Sequence, residues 1–184
     1  MFKLDVRKAI EAAALLLRLT AHTQMDRKRL LALLFLADRE SLRRTGFPII
    51  GGRISALKHG PIHSEVYDFI KGSHARQAEW SHVFEADGYR VKLREDSDSI
   101  VSSLSQFEVD LLNELSETHS GRGTWDLAEL THTEEYKKNY IEGTSTTIPF
   151  EDTLSAVNRH NEKTMIAQEA KDKEFFDNLF KSTP

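Results

Sequence analysis

Few residues of this 184-residue chain have types and spacing suited to chemistry. Asp38 and Arg39 follow a strongly apolar stretch, where a carboxylate is suited to act as an acid, a metal ligand or the anchor of a partner's basic group. The structural alternative is an ion pair at a helix end, or a carboxylate that caps a neighbouring loop. Residue type and position leave both interpretations open.

His59 and His63 are four positions apart, which is the spacing of two metal ligands on one helical face. Gly60 and Pro61 lie between them and interrupt a continuous helix, and no Glu stands beside the first histidine as in a zinc hydrolase motif. The chain has no cysteine, so thiolate ligands, disulfides and a cysteine nucleophile are excluded. We therefore predict neither a metal site nor a cofactor.

The element that must position Asp38 and Arg39 is a helix over residues 26–44. Residues 30–36 are apolar on nearly every side of this helix, which indicates that it is buried. Asp26 is suited to cap its start, and Gly46 is suited to end it. We expect the rest of the chain to pack around this central helix.

The remaining pattern predicts a mainly α (α+β) fold, a compact helical domain with a small antiparallel β-hairpin. Asp87-Gly88 between alternating apolar residues predicts a hairpin over 82–94, and Ser105 to Glu108 forms a capping box. Pro61 is expected at the first position of a helix, and Thr124 is expected to cap another. Helical periodicity is found over 5–20, 62–71, 105–118, 125–131, 149–157 and 161–181, and residues 53–58 and 99–102 suggest extended segments.

Composition indicates a soluble, cytoplasmic protein. Apolar residues make up 39% of the chain and charged residues 29%, and one domain is expected at this length. Charges interrupt the apolar N-terminal segment, so it is not a signal peptide, and no apolar run is long enough to cross a membrane. Within the chain we expect a main domain over 1–160 and a C-terminal helix over 161–184, which either docks on that domain or binds a partner.

The order and spacing of several short motifs resemble the Panacea antitoxin domain, the family typified by SocA-like antitoxins, over roughly residues 5–155. No single motif is specific, but their order and spacing together are. The motifs are Phe35-Leu36-Ala37-Asp38-Arg39 with Leu42, Gly46 with Pro48-Ile49, Ala56, Gly60-Pro61 with Ser64, Val66 and Tyr67, Leu104-Ser105, and Leu130-Thr131-His132.

The resemblance implies a protein that is not an enzyme and that neutralises the toxin of a bacterial or phage toxin-antitoxin system. Such domains often bind their toxin directly, and some SocA-like members deliver it to a protease complex. We expect the partner surface at the exposed end of the central helix and the loops beside it, formed by Asp38, Arg39, Leu42, Arg43, Phe47, His59 and Tyr67. Substituting Arg39 and Arg43 with Glu is expected to weaken partner binding while folding stays cooperative.

Two alternatives from other classes remain. A winged-helix DNA-binding regulator would use the basic residues of the central helix, because residues 1–60 carry 12 Lys and Arg against 5 Asp and Glu, whereas residues 61–184 carry 13 against 24. Its candidate recognition helix, 62–71, carries Glu65 and Asp68, which disfavours contact with phosphate. A hydrolase would use Asp38, His59 and His132, but no motif relates these three residues.

Overall fold

A computed structural model describes residues 2–95 and 103–181, without the side chains of residues 173, 174 and 176–181. In this part of the chain the helices are Val6–Arg18 (α1), Arg27–Thr45 (α2), Ser64–Lys71 (α3), Gln77–Val83 (α4), Gln106–Thr118 (α5), Thr124–Leu130 (α6), Glu134–Asn139 (α7), Phe150–Ala156 (α8) and Lys163–Lys181 (α9). The strands are Gln24–Asp26 (β1), Ile54–Leu57 (β2), Gly60–His63 (β3), Phe84–Asp87 (β4), Arg90–Leu93 (β5) and Thr146–Thr147 (β6).

Helix α2 forms the centre of the fold, as its apolar sequence predicts. Its residues from Leu30 to Phe35 are all buried, and α1, α5 and α6 pack against it. Asp26 caps the helix, since its carboxylate accepts the N–H of Lys28 at 2.8 Å. Gly46 ends the helix in the left-handed conformation, with φ at 86°, which favours glycine at this position. The predicted buried central helix and both of its ends are confirmed.

The predicted hairpin is also confirmed, as strands β4 and β5. Asp87 pairs with Arg90 across the turn, and Phe84 pairs with Leu93 at the other end. Strand β1 adds to the outer edge of β5, which gives an antiparallel sheet in the order β1-β5-β4. Three residues are too few to show a period of two, so the sequence pattern does not reveal β1.

The prediction that Gly60-Pro61 opens a helix is wrong. Both residues belong to β3, which pairs with β2 so that Pro61 faces Ala56, and the helix begins only at Ser64. Proline has no N–H to donate, but β3 lies at the edge of the sheet β3-β2-β6, where a proline is tolerated. Hairpin pairing with the neighbouring strand β2 therefore decides the conformation of this segment.

The remaining local predictions have mixed outcomes. The capping box at Ser105 and Glu108 is present at the start of α5. Thr124 does not cap α6: it is the first helical residue, and Gly123 precedes it as the cap without a side-chain bond. The sequence pattern missed α4 and α7 because each is short and buries only two residues. The predicted strand over 99–102 lies outside the described residues.

The first half of α9 packs on the helical domain. Ile166 and Ala170 are buried in a cluster with Leu42 of α2, Leu154 of α8 and Phe2 near the start of the chain. This cluster joins segments far apart in sequence around the C-terminal end of α2. The division of the chain at residue 160 stays a prediction.

Substituting Gly60 with alanine is expected to lower the free energy of unfolding by about 3 kcal/mol. Gly60 has a φ of +118°, and an added Cβ would lie 2.5 Å from Oγ1 of the buried Thr131. Gly143→Ala is the matched control, since Gly143 also has positive φ, at +76°, but has open space around it. Urea denaturation of both variants measures the difference. Equal losses for the two variants would show that Thr131 yields and that the close contact is unimportant.

Candidate partner-binding site

A mostly apolar cleft runs along α2 near its C-terminal end. Phe35, Asp38, Arg39 and Leu42 form its floor, since this spacing places them on one face of the helix. Apolar clefts of this kind accept the side chains of ligands or partner proteins. The walls come from the segment before α1, the loop after α2, the start of β2, and α8 with the residues before it, through Phe2, Pro48, Gly51, Gly52, Ile54, Ile148, Phe150 and Thr153.

Asp38 holds one wall of the cleft in place. Its two carboxylate oxygens accept the N–H groups of Ile50 at 2.8 Å and Gly51 at 2.9 Å. The side chain lies within the fold, with Asp38 only 7% exposed. Burial raises the pKa of the Asp38 carboxyl, and His63 and the backbone N–H groups oppose this shift. Asp38 therefore acts on the shape of the cleft, as a carboxylate that caps a neighbouring loop.

His63 supports the same loop from behind. Its Nδ1 lies 2.9 Å from the carbonyl oxygen of Gly51, and a carbonyl only accepts, so Nδ1 carries the proton. Its Nε2 lies 3.7 Å from Oδ2 of Asp38, and the whole side chain is buried. Asp38 and His63 thus clamp Gly51 through its N–H and its C=O.

Arg39 connects the floor of the cleft to α7 and α8. Its Nε donates to Oε1 of Glu135 at 2.7 Å, and its Nη2 lies 3.4 Å from the carbonyl oxygen of Ala156. The Glu135 side chain is fully buried, whereas that of Arg39 is 23% exposed. Arg39 therefore neutralises a carboxylate that has no access to water.

Arg43 and Phe47 form an exposed rim next to the cleft. Arg43 makes a two-bond contact with Glu40, and Arg44 bridges Glu40 and Glu114. These bonds, Arg43 first, lower the pKa of Glu40 to about 2. The Phe47 ring is 39% exposed and lies 5.8 Å from the Phe2 ring, edge to face. The rim thus combines one accessible aromatic ring with a charged network.

The other predicted partner residues lie elsewhere or are hidden. Leu42 is only 2% exposed and belongs to the cluster that anchors α9. His59 packs against Trp125, with ring centroids 5.3 Å apart, at the opposite end of α2 from Phe47. Tyr67 is half-buried on α3 beneath Lys71. The structure therefore brings together five of the predicted residues, Asp38, Arg39, Leu42, Arg43 and Phe47, and leaves His59 and Tyr67 apart.

Sequence reasoning missed the aromatic residues that complete the cleft. Phe2 and Phe150 contact each other edge to face with ring centroids 5.7 Å apart, although they lie far apart in the chain. Phe2 precedes the first helix, and the helical pattern over 149–157 that contains Phe150 does not relate it to Phe2. No signal in a single sequence identifies this pair.

The side chains proposed for a hydrolase do not form one bonded set in residues 2–95 and 103–181. Asp38 is committed to Ile50 and Gly51, His59 packs on Trp125, and His132 stacks on Tyr136 at 4.6 Å. Over the same residues, no three His, Asp or Glu side chains converge as a metal site requires. Nor does any helix of the described chain combine the length and apolarity of a membrane span.

Comparison with known proteins identifies the family of the chain. The model of the SocA-like antitoxin family, Panacea domain, matches residues 30–137, which is more than half of the chain. The matched range includes most of α2, the β2–β3 and β4–β5 hairpins and the first part of α7. Searches of the curated proteins and of the solved structures gave no significant match. The matched segment contains the motifs over 35–67 on which the resemblance depends, and that prediction is confirmed. The chain belongs to the SocA-like antitoxin family with a Panacea domain.

Proposed function

We propose that this protein is a cytoplasmic antitoxin that neutralises a cognate protein toxin by binding it through the cleft and the rim at the C-terminal end of α2. Membership of the SocA-like family carries the proposal, because it is an antitoxin family. The binding surface is our own assignment, and it rests on the position of the cleft beside Arg43 and Phe47.

The cleft and the rim have complementary roles in such a complex. The apolar cleft accepts an apolar anchor side chain of the toxin, and Phe47 adds an accessible ring at its edge. Anchors of this kind supply most of the binding energy in protein interfaces, while the surrounding contacts exclude water. Arg43 and its glutamate partners orient the toxin as it approaches, because charged rims act mainly on association and specificity.

Phe47→Ala and Arg43→Glu are each expected to weaken toxin binding by about tenfold or more, because the first removes the accessible ring at the edge of the cleft and the second reverses a charge of the rim. The toxin is the product of a neighbouring gene that arrests growth when expressed alone. Binding is measured by calorimetry with purified proteins, and neutralisation by growth during co-expression. Thermal unfolding of each variant separates lost binding from lost folding.

The chain offers a matched control for each variant. Phe107 on α5 is 38% exposed, close to the 39% of Phe47, so Phe107→Ala removes an equally accessible ring elsewhere. Arg76 pairs with Glu79 at i,i+3, as Arg43 does with Glu40, so Arg76→Glu reverses an equivalent charge. Both controls are expected to bind the toxin as the wild type does. If Phe47→Ala and Arg43→Glu bind the toxin as the wild type does, the toxin binds another face.

Delivery of the toxin to a protease is the alternative consequence of the same binding step. The two modes differ in the lifetime of the toxin during co-expression. Simple sequestration leaves the toxin intact and bound, whereas delivery shortens its half-life in a protease-dependent manner. A pulse-chase measurement with Phe47→Ala as the binding-deficient reference distinguishes them.

A further inference from the structure

Two exposed aromatic rings flank the first turn of α2, each in contact with a cation from that turn. Tyr89 is 72% exposed and Trp125 is 59% exposed. The guanidinium carbon of Arg27 lies 4.8 Å from the centre of the Tyr89 ring, and Nζ of Lys28 lies 3.8 Å from the centre of the Trp125 ring. We call Arg27, Lys28, Tyr89 and Trp125 together the cation–aromatic surface.

The fold holds both rings in fixed positions relative to α2. The N–H of Arg27 donates to the carbonyl oxygen of Tyr89 at 2.9 Å, which ties the hairpin turn to the helix. The guanidinium of Arg29 donates to the carbonyl oxygens of His119 and Arg122, at 2.7 and 2.6 Å, which ties the loop before α6 to the same turn. Rings that are already positioned lose little entropy when a ligand stacks on them.

The first turn of α2 carries three basic residues, Arg27, Lys28 and Arg29. In residues 2–95 and 103–181, Arg27 and Lys28 form no ion pair, and Asp26 caps α2 by accepting the N–H of Lys28. This contrasts with the other end of the helix, where the basic residues are held by Glu40, Glu114 and Glu135. Exposed residues of both signs adjoin the surface in sequence: the cations Lys58, Arg90 and Arg122, and the carboxylates Asp87 and Asp126.

We propose that the cation–aromatic surface binds single-stranded nucleic acid, with phosphates on the cations and unpaired bases on Tyr89 and Trp125. Backbone-tracking cations combined with exposed rings for stacking are the recognition elements of single strands. A double helix keeps its bases stacked internally, so it has no use for the two rings. An acidic peptide would pair with the cations but would leave the aromatic faces unoccupied.

The proposed site is distinct from the toxin-binding surface. Lys28 and Arg43 are 15 residues apart on one helix, which separates the two ends by about 22 Å. Nucleic acid and toxin are therefore expected to bind at the same time. The inference does not depend on the proposed toxin-binding surface.

Intrinsic tryptophan fluorescence of the full chain reports binding at this site. Trp125 is exposed, whereas Trp80 is 4% exposed and stacked between Phe69 and Phe84. Titration with short oligothymidylate, oligouridylate and a DNA duplex at low salt is expected to give saturable quenching with the single strands. Comparing the affinities for oligothymidylate and oligouridylate shows whether DNA or RNA is the preferred ligand. The affinity is expected to fall as the salt concentration rises. A plot of the logarithm of the association constant against the logarithm of the salt concentration should have a slope of about −0.7 per neutralised phosphate.

Variants at the two contacting residues test the assignment, with binding followed by anisotropy of a labelled oligonucleotide. Trp125→Ala and Lys28→Ala are expected to weaken binding by about tenfold each, from lost stacking and a lost phosphate contact. Lys71→Ala is the matched control, because Lys71 also lies over an aromatic ring, 4.6 Å from the centre of Tyr67. This control is expected to bind as the wild type does.

Three results would overturn the proposal. The first is the absence of saturable binding of either single strand at low salt. The second is equal affinity of Lys28→Ala and Lys71→Ala. The third is tighter binding of the duplex, or of a polyglutamate peptide, than of the single strands, which would assign the surface to a different class of partner.

Discussion

Arg39→Ala is expected to lower the free energy of unfolding by about 3 kcal/mol, which is more than any substitution at the exposed rim. The reason is the fully buried carboxylate of Glu135, which loses its only cationic partner among the described residues. Its second oxygen, Oε2, already has no hydrogen-bond partner in that part of the chain. Urea denaturation at neutral pH measures the loss.

Two further variants test the cause of this loss. Arg44→Ala is the control, since the Arg44–Glu114 pair is 33% and 51% exposed and is expected to contribute less than about 1 kcal/mol. Adding Glu135→Gln to Arg39→Ala is expected to recover part of the stability, because it removes the unpaired buried charge. If Glu135→Gln gives no recovery, packing of the arginine stem, and not its charge, stabilises this region.

The contact between Arg39 and the buried Glu135 makes Arg39 unsuitable for testing the partner surface. An Arg39→Glu, Arg43→Glu double variant is expected from the sequence to fold cooperatively while losing partner binding. In the structure, Arg39→Glu places a second carboxylate beside the buried Glu135. Loss of binding by that double variant would therefore report on folding, which is why the binding test uses Arg43 and Phe47.

Asp38→Ala is expected to lower the free energy of unfolding by about 3 kcal/mol, because two backbone N–H groups lose a charged acceptor inside the fold. In the described part of the chain, the N–H groups of Ile50 and Gly51 each donate to this carboxylate. Hydrogen exchange measures the effect directly: these two amides are expected to be protected in the wild type and to exchange faster in the variant.

Asp38→Asn and Asp110→Ala complete this test. Asparagine retains one acceptor but presents an NH₂ group to the second N–H, so an intermediate loss is expected. Asp110 is an exposed aspartate on α5 that accepts a hydrogen bond from Gln106, and its substitution is expected to change stability by less than about 0.5 kcal/mol. Unchanged exchange at Ile50 and Gly51 in Asp38→Ala would contradict the assigned role.

Local patterns predicted the elements whose signals are contained within a few turns of chain. The buried α2 follows from its continuous apolar residues, its ends from Asp26 and Gly46, and the hairpin from Asp87-Gly88. The helix-start signal at Gly60-Pro61 failed because pairing with Ala56 in β2 outweighs a one-residue preference. Propensity is a weak influence on conformation where strand pairing is available.

In the candidate site, the sequence identified several of the residues but did not predict what each of them does. Asp38, Arg39, Arg43 and Phe47 stand out in the sequence as polar or aromatic residues next to a buried helix. Their roles differ because of contacts with distant segments: Asp38 with the loop at Gly51, and Arg39 with α7. A single sequence does not indicate which distant backbone group or carboxylate each of these side chains contacts.

The amino-acid sequence by itself determined the family, the helical character of the chain and its buried central helix, because these depend on residue order and short-range periodicity. Only the tertiary structure decided where a partner has access. It buried Asp38 and Leu42, joined Phe2 to Phe150 in one cleft, and placed Tyr89 and Trp125 on either side of one helical turn. The physical reason is that burial and side-chain contacts arise from packing between segments far apart in the chain, which local patterns do not encode.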